Sequence, residues 1–308
     1  MSKILITGAS SLIGEAITKF ARLEKKHEVI LLSSNADKFK PRKNLSFITV
    51  DAQDYKSIKQ ICYELKPDAI INTVSLTDPE RCESDKKLAY ELNVNVVDNL
   101  IKICKVIDAH LISFSSEMVF DGERGPYLEE AKPNPINYFG KTKHASENLL
   151  ITGLKNYTII RTTCPYGDSS FDKQGFVQRT LSMLENNEEF EVSDIHFSNP
   201  VYVDDIGQTA MKVLENQRLG IYNISGTDWI SKYFFAKTIA RIFEFDDSII
   251  KPLTEDKFPQ VVKYPKKSGL VALKSSTDLG IKLTSVENGL SAFRFHNNEK
   301  ARSYFRDL

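Results

Sequence analysis

Two glycines near the start of the chain flank a short polar turn that could hold a phosphate group. Gly8 follows an apolar run typical of a buried strand, and Gly14 stands where an amphipathic helix is predicted to begin. Glycines let the backbone approach a pyrophosphate, and the helix N-terminus supplies N–H groups and the positive end of its dipole. The spacing departs from the usual Gly-x-x-Gly-x-x-Gly because Ser11 occupies the middle position. The pattern predicts a dinucleotide-binding turn, with an ordinary strand-to-helix turn as the alternative. The candidate contacts are Gly8, Ser10, Ser11, Leu12, Ile13 and Gly14.

The end of the second predicted strand bears on which dinucleotide would bind. NAD-preferring sites place an acidic residue there to hold the ribose hydroxyls, whereas this chain has Ser33 and Ser34. The basic residues that follow are Lys38, Lys40, Arg42 and Lys43. Hydroxyls and nearby cations suit a 2′-phosphate, which favours NADPH over NADH, although a solvated loop also explains the basic run. Asp51 and Ala52, after the third predicted strand, are candidate contacts on the adenine side.

Strands and helices alternate through the first half of the chain and would position these residues. The predicted strands cover 3–7, 27–32, 46–50, 68–72, 109–115 and 158–161, and the predicted helices cover 13–25, 55–65, 86–106 and 138–154. Apolar strands separated by helices are typical of a parallel sheet that binds ligands at the carboxyl ends of its strands. We therefore predict an α/β fold, with a Rossmann-type doubly wound parallel sheet over residues 1–165, to which some later elements return. Residues 166–308 are expected to form mainly a smaller C-terminal substrate-binding lobe, with a soft boundary.

The composition excludes several classes of partner. Lys+Arg and Asp+Glu both total 41, so the formal net charge is zero, which argues against nucleic acid or an anionic membrane as a partner. We expect neither a transmembrane helix nor a signal peptide, because apolar runs are short and the N-terminus leads directly into a strand. The four cysteines are scattered without a Cys-x-x-Cys pair. They are typical of reduced thiols in a cytoplasmic protein, without a metal site or disulfide framework.

Several motifs, in order along nearly the whole chain, resemble the extended short-chain dehydrogenase/reductases and, among them, the dTDP-4-dehydrorhamnose reductase group. The motifs are the glycine turn and the segments 67–73, 113–122, 135–143, 161–167 and 201–205. Together they are far more specific than any one alone. The resemblance implies NADPH-dependent reduction of a 4-keto-6-deoxy nucleotide sugar in surface polysaccharide synthesis. It implies a nucleotide-sugar substrate, leaves a homodimer open, and keeps NADH as the alternative cofactor.

The catalytic helix of this family carries a Tyr-Gly-x-Thr-Lys pattern, and this chain has Phe139 where the pattern has tyrosine. The remaining members are in place as Gly140, Thr142 and Lys143. In the family the phenol donates the proton and the lysine lowers its pKa, whereas phenylalanine donates nothing. The resemblance gives Ser116 the role of orienting the substrate carbonyl and gives Lys143 that of holding the nicotinamide ribose. We therefore expect a chain that binds its ligands and turns over poorly.

The neighbouring phenol, Tyr138, is a weak substitute for the missing one. Adjacent residues on a helix point about 100° apart, so Tyr138 should face away from a pocket served by Phe139 and Lys143. Two explanations stay open: an enzyme with an altered residue, or a non-catalytic binding protein such as the regulatory subunit of methionine adenosyltransferase, which resembles the same family. An epimerase or dehydratase is less well supported, since only Glu117 matches the Thr-Asp-Glu set that a dehydratase uses.

The resemblance adds further site residues and two departures. The implied cofactor contacts are Asn72, Thr73 and Val74, and the implied substrate contacts are Ser75, Glu117, Val119, Phe120, Arg161 and Lys267. Glu117 stands where the family has aspartate. The segment 264–268 replaces an Arg-Pro stretch that serves the nucleotide-sugar side, which puts dTDP-rhamnose precursors in doubt. Lys263, Lys266 or Lys267 would serve a diphosphate instead.

Overall fold

A seven-stranded parallel sheet forms the centre of the protein. The computed structural model describes residues 2–23, 26–34, 44–170, 175–253 and 262–297. In chain order the elements are β1 (Ser2–Thr7), α1 (Leu12–Leu23), β2 (His27–Ser33), β3 (Leu45–Thr49), α2 (Tyr55–Leu65), β4 (Ala69–Asn72), α3 (Pro79–Ser84), α4 (Lys86–Tyr90), a π-helical turn (Glu91–Asn95), α5 (Val96–Ile107), β5 (His110–Ser116), a 3₁₀ turn (Glu117–Val119), α6 (Tyr138–Gly153), β6 (Tyr157–Thr162), β7 (Pro165–Tyr166), α7 (Phe176–Glu185), β8 (Phe190–Ser193), β9 (Phe197–Ser198), β10 (Val201–Tyr202), α8 (Val203–Glu215), β11 (Gly220–Ile224), β12 (Ile230–Ser231), α9 (Lys232–Phe243), a second 3₁₀ turn (Asp247–Ile249), β13 (Ile250–Leu253), α10 (Leu273–Leu279) and α11 (Val286–Asn297).

The order of the strands places the ligand crevice. The sheet runs β3-β2-β1-β4-β5-β6-β11, and every neighbouring pair is parallel. Strand order reverses between β1 and β4, and in doubly wound sheets the ligand lies at this switch point, beyond the carboxyl ends of the strands. The prediction of a Rossmann-type doubly wound parallel sheet is confirmed.

Alternating side chains bury both faces of the sheet. In β1, Ile4 and Ile6 pack in the cluster that contains Ile17 of α1 and Ile206 of α8. Leu5, which points the other way, packs in the cluster built from α2, α5 and α6. Because successive side chains of a strand point to opposite faces, a strand covered on both sides reads as the continuous apolar run seen in the sequence.

The helix predicted over residues 86–106 is interrupted. A π-helical turn, Glu91–Asn95, separates α4 from α5. In this turn, which contains one extra residue, the Asn93 side chain forms hydrogen bonds to other parts of the chain. Its Oδ1 accepts hydrogen bonds from Ser75 Oγ at 2.9 Å and Leu76 N at 2.7 Å, and its Nδ2 donates to Thr142 Oγ1 at 2.9 Å. Turns of this kind are frequent at functional sites, and apolar periodicity does not reveal them.

The later part of the chain builds a second core. Phe235 and Ile239 of α9 pack with Val177 of α7 and Leu290 of α11, beside three two-stranded ladders. Two later elements, α8 and β11, lie in the sheet domain. The domain boundary near residue 165 stays a prediction. In the described part of the chain, no helix is long and apolar enough to cross a membrane, and no three His, Cys, Asp or Glu side chains cluster as a metal site requires.

Candidate functional site

The two glycines of the first turn allow close packing at the carboxyl end of the sheet. Gly8 has φ +69°, and a Cβ added to it would lie 2.8 Å from Thr73 Oγ1 and 2.9 Å from Val74 N. A Cβ on Gly14 would lie 2.6 Å from the Gly8 carbonyl oxygen. A side chain at either position would displace backbone. The two glycines therefore let the turn pack closely on the end of β4 and on the first turn of α1, and a helix N-terminus in this position fits the pyrophosphate of a dinucleotide.

Hydroxyl groups form hydrogen bonds that hold this turn together, and one of them belongs to Ser11, which occupies the position of the middle glycine. The Ser11 hydroxyl donates to Thr73 Oγ1 at 3.0 Å and accepts from the Gly14 N–H at 3.0 Å. The hydroxyls of Ser10 and Ser33 lie 2.8 Å apart. The turn is thus tied to the ends of β2 and β4, and serine at position 11 fits it because its oxygen serves two partners.

The predicted cofactor residues lie around this edge of the sheet. Leu12 and Ile13 form the first turn of α1, and Thr7 Oγ1 donates to Asn72 Oδ1 at 2.8 Å. Ser34 and Asp51 line a cavity of about 570 Å³, which lies between helix α2 and the ends of strands β2 and β3. Asp54 and Glu64 also line this cavity. A small cavity nearby contains Ala52, Thr7 and Tyr55 among its lining residues. The basic residues Lys38, Lys40, Arg42 and Lys43 lie outside the described residues.

Replacing Gly8 with alanine is expected to destabilise the protein and weaken NADPH binding. A left-handed residue other than glycine costs about 1–2 kcal/mol, and overpacking against Thr73 and Val74 adds about 1–3 kcal/mol. Gly280 is a matched control, because it has φ +64° and no atom within 4 Å of an added Cβ. Urea unfolding and NADPH titration measure both effects. Equal losses in Gly8→Ala and Gly280→Ala would contradict the close approach at Gly8.

Gly140 lets α6, the helix that carries Phe139 and Lys143, lie against the strand that ends at Ser116. A side chain at Gly140 would collide with the Met118 carbonyl oxygen, so only glycine lets α6 pack this closely on the 3₁₀ turn. The Ser116 hydroxyl caps that turn by accepting from the Met118 N–H at 3.2 Å. Since the oxygen accepts this bond, the hydroxyl hydrogen remains available to donate to a ligand.

Phe139 is buried in an apolar cluster beside this turn. It is 5% exposed and packs with Cys82 and Ala89, while Leu76 and Met118 close the edge. The Tyr138 side chain packs against the edge of the same cluster, with Lys86 Nζ 5.5 Å from its ring centre, and its backbone N–H donates to Glu83 Oε2 at 3.1 Å. The position of the ring beside Lys86 supports the expectation that Tyr138 does not take the place of the missing phenol.

Lys143 is a buried cation on the same helix. Its Nζ lies 3.4 Å from Ser75 Oγ, which in turn donates to Asn93 Oδ1. Burial lowers the pKa of Lys143 to about 8, although the charge of the Glu147 carboxylate opposes that shift. The sequence pattern did not identify Asn93 as a site residue. The available signal was its polar side chain, which falls between Ala89 and Val97 on an otherwise apolar stripe of the helix.

A second cavity, of about 500 Å³, lies between the segments 121–123, 195–196 and 262–267. Its lining carries three lysines, Lys263, Lys266 and Lys267, together with Tyr264 and His196. The Lys267 backbone is held by a hydrogen bond from its N–H to the Gly122 carbonyl oxygen at 2.8 Å. The lysine expected to contact substrate therefore lies at this cavity with two more lysines of the same segment, and Asp121 and Glu123, which also line it, offset part of their charge.

Four other expected substrate contacts lie inside the protein. Arg161 is 2% exposed; its Nε and Nη2 donate to the two carboxylate oxygens of Glu147, and its Nη1 donates to the Glu129 carbonyl oxygen. Val119 and Phe120 are buried in an apolar cluster. Glu117 is 3% exposed. These four residues are not among those that line the lysine cavity, and we do not carry them forward as substrate contacts, because position within a motif does not show which way a side chain faces.

Comparisons with known proteins agree with the fold. Residues 2–297 match the family model described as the RmlD substrate binding domain. The chain is 29% identical over 269 residues to methionine adenosyltransferase 2 subunit beta of Xenopus laevis, covering 82% of this chain and 76% of that protein. It is 26% identical over 311 residues to dTDP-4-dehydrorhamnose reductase of Aggregatibacter actinomycetemcomitans, covering 96% and 99%.

Among solved structures, the fold is similar to that of dTDP-4-dehydrorhamnose reductase from Bacillus anthracis in complex with NADP. The TM-score is 0.86 at 24% identity, over 96% of this chain and 99% of that one. The resemblance inferred from the motifs is therefore confirmed, and the chain belongs to the RmlD substrate-binding domain family.

Proposed function

We propose that this protein binds NADPH and a 4-keto-6-deoxy nucleotide sugar, as a reductase of deoxysugar and surface polysaccharide synthesis whose turnover is limited by Phe139. The observation that carries the proposal is the close packing of α6 on the Ser116 turn at Gly140, with Lys143 buried behind it. The framework around the absent hydroxyl is thus intact. NADPH and nucleotide-sugar titrations test the binding, and a chain that binds neither contradicts the proposal.

The residues of the chain supply binding and orientation for the reaction. When bound, the dinucleotide supplies the hydride that adds to the sugar carbonyl carbon. The Ser116 hydroxyl donates its free hydrogen to the carbonyl oxygen and orients it. The Lys143 ammonium holds the ribose hydroxyls and adds positive charge where negative charge develops. Phe139 supplies no proton, so the general acid, typically worth about 10²–10⁴-fold in rate, is missing from the set.

The cofactor assignment rests on the turn and on the end of β2. Gly8 and Gly14 give the turn the close backbone packing that a dinucleotide-binding turn requires, and β2 ends at Ser33, followed by Ser34, without the acidic residue typical of NAD sites. NADPH is therefore proposed, with NADH as the alternative. Parallel titrations with the two cofactors distinguish them, and tighter binding of NADH would reverse the assignment.

The substrate assignment rests on the lysine cavity. Lys263, Lys266 and Lys267 line it together, and ammonium groups pair with the oxygens of a diphosphate. A nucleotide sugar presents a diphosphate beside its sugar, so the sugar is proposed to extend from this cavity toward Ser116. A cytoplasmic location and a homodimer stay predictions, and light scattering on the purified chain tests the second.

The affinity for NADPH is expected to fall as pH rises through about 8. Burial lowers the pKa of Lys143 to about 8, so its ammonium is present below that pH and lost above it. Because the charged form holds the ribose hydroxyls, its loss weakens binding. Fluorescence titrations below and above pH 8 measure the change, and Lys143→Met should bind weakly at every pH. An equal pH dependence in Lys143→Met would assign the titration to another group.

A non-catalytic binding protein of the same fold is the second candidate. The apolar cluster around Phe139, which includes Cys82 and Ala89, favours it because that environment needs no hydroxyl. The similarity to methionine adenosyltransferase 2 subunit beta also supports it. In that case the chain binds nucleotide ligands, and restoring tyrosine at position 139 brings no turnover.

A further inference from the structure

The carboxylate of Glu117 is enclosed where the sheet domain meets the C-terminal lobe. Oε2 accepts hydrogen bonds from Ser198 Oγ at 2.7 Å and Ser268 Oγ at 2.8 Å, and Oε1 accepts one from the Cys164 thiol at 3.4 Å. Within the described ranges, no Lys, Arg or His forms an ion pair with it. Burial raises the pKa of the Glu117 carboxyl, and hydrogen bonds from Ser198, Ser268 and Cys164 oppose part of that rise.

An enclosed carboxylate without a cation is a costly arrangement. Burying a charge costs free energy unless hydrogen bonds satisfy its oxygens, and apolar side chains of similar volume often serve stability equally well or better. The three side-chain donors come from separate segments: Cys164 follows β6, Ser198 ends β9, and Ser268 directly follows the cavity-lining Lys267. The carboxylate therefore joins three parts of the chain at one point.

Two neighbours along the chain link Glu117 to both ends of the proposed substrate site. Ser116, the candidate hydroxyl, directly precedes it, and Lys267 of the lysine cavity directly precedes Ser268. Ser268 is held further by its N–H, which donates to the Phe197 carbonyl oxygen at 3.0 Å, and by its carbonyl oxygen, which accepts from Trp229 Nε1 at 2.7 Å. The Glu117–Ser268 hydrogen bond thus spans the site from the hydroxyl end to the lysine end.

We propose that Glu117 is a positioning residue that acts through Ser268 to fix the lysine segment, residues 263–268, relative to Ser116. A ligand that spans the cavity needs its anionic group and its carbonyl held at a matching separation. Glu117 sets that separation without touching the ligand, because its oxygens are occupied and buried. The identity of the ligand rests on the proposed function, whereas the fixing of the segment does not.

The test uses the full chain with Glu117→Gln, Ser268→Ala and the double variant. Hydrogen exchange measured by mass spectrometry follows the peptides that cover the lysine segment. Calorimetric titrations measure NADPH and whichever of dTDP and UDP the unmodified chain binds more tightly. Ser275→Ala is the matched control, since Ser275 is also a buried serine, at 0% exposure against 6% for Ser268, and donates to the Asn223 carbonyl oxygen.

Glu117→Gln is expected to accelerate exchange in the lysine segment and to weaken nucleoside diphosphate binding by about tenfold, which corresponds to about 1.4 kcal/mol. NADPH affinity should stay within about twofold, a change below about 0.5 kcal/mol. Ser268→Ala should act in the same direction, and the double variant should lose less than the sum, because Glu117→Gln weakens and Ser268→Ala removes the same hydrogen bond. Ser275→Ala should leave both readouts unchanged.

Several results would overturn the proposal. The first is a folded Glu117→Gln variant in which hydrogen exchange and nucleoside diphosphate affinity are both unchanged. The second is a loss of NADPH affinity as large as the loss of diphosphate affinity, since that would indicate a general structural role. If Glu117→Gln does not fold, Ser268→Ala decides, and behaviour matching Ser275→Ala counts against the proposal. If the unmodified chain binds neither dTDP nor UDP, the proposed substrate fails, and hydrogen exchange alone decides whether Glu117 fixes the segment.

Discussion

Phe139→Tyr is expected to raise NADPH-dependent reduction of a 4-keto-6-deoxy nucleotide sugar by at least about tenfold and by up to about 10⁴-fold, the range typical of a general acid. Phe139 lies one helical turn before Lys143 on α6. The substitution adds one oxygen and little volume. A phenol there would lie near the Lys143 ammonium, and a nearby positive charge favours the ionised phenolate and lowers the phenol pKa.

The assay follows NADPH oxidation with dTDP-4-keto-6-deoxyglucose and other nucleotide ketosugars. Tyr138→Phe is the matched control, because it removes the neighbouring phenol, whose ring lies beside Lys86. It should leave the rate unchanged in both the unmodified chain and Phe139→Tyr. If both chains bind NADPH and nucleotide and neither turns over, the reductase proposal is wrong and the non-catalytic function is favoured.

Glu147→Gln is expected to lower the free energy of unfolding by about 3–5 kcal/mol, the cost typical of breaking a buried ion pair by removing one partner. The side chains of Arg161 and Glu147 are each 2% exposed, and their closest ion-pair distance is 2.8 Å. Two of the guanidinium nitrogens donate to this carboxylate. The neutral amide would leave the Arg161 charge enclosed without a counter-ion.

Urea unfolding followed by circular dichroism measures this loss. The exposed ion pair between Lys102 and Asp98 provides the control: the two side chains are 56% and 38% exposed and 2.7 Å apart. Asp98→Asn should change stability by less than about 1 kcal/mol, as exposed pairs generally do. A Glu147→Gln loss no larger than that of Asp98→Asn would show that the buried pair contributes little.

The Glu147 charge also raises the pKa of Lys143, so its removal should shift the pH dependence of NADPH binding to lower pH.

The amino-acid pattern was sufficient for the architecture. Apolar runs and helical stripes predicted the six parallel strands from β1 to β6, because strands covered on both faces must be apolar throughout. The glycine turn was predicted because an apolar strand, Gly8, Gly14 and an amphipathic helix follow one another directly in the sequence. The place of Phe139 in the motif was also evident from the sequence, since its spacing of one helical turn from Lys143 lies within a short segment of the chain.

The interior polar contacts depended on segments far apart in the chain. Ser268 and Glu117 are separated by 151 residues, and Asn93 and Thr142 by 49. Periodicity reports whether a residue faces the core but not which distant group will meet it there. Arg161 was therefore expected at the substrate, although the structure pairs it with Glu147. Glu117 was likewise expected to contact a ligand, although it binds three side chains of the protein.

The chain's pattern thus specified the sheet, its glycine turn and the absence of a hydroxyl at position 139. Folding decided that Ser268, next to Lys267, meets Glu117, next to Ser116. The physical reason is that hydrophobic burial is encoded residue by residue, whereas the geometry of a polar site depends on partners that come together only when the whole chain packs.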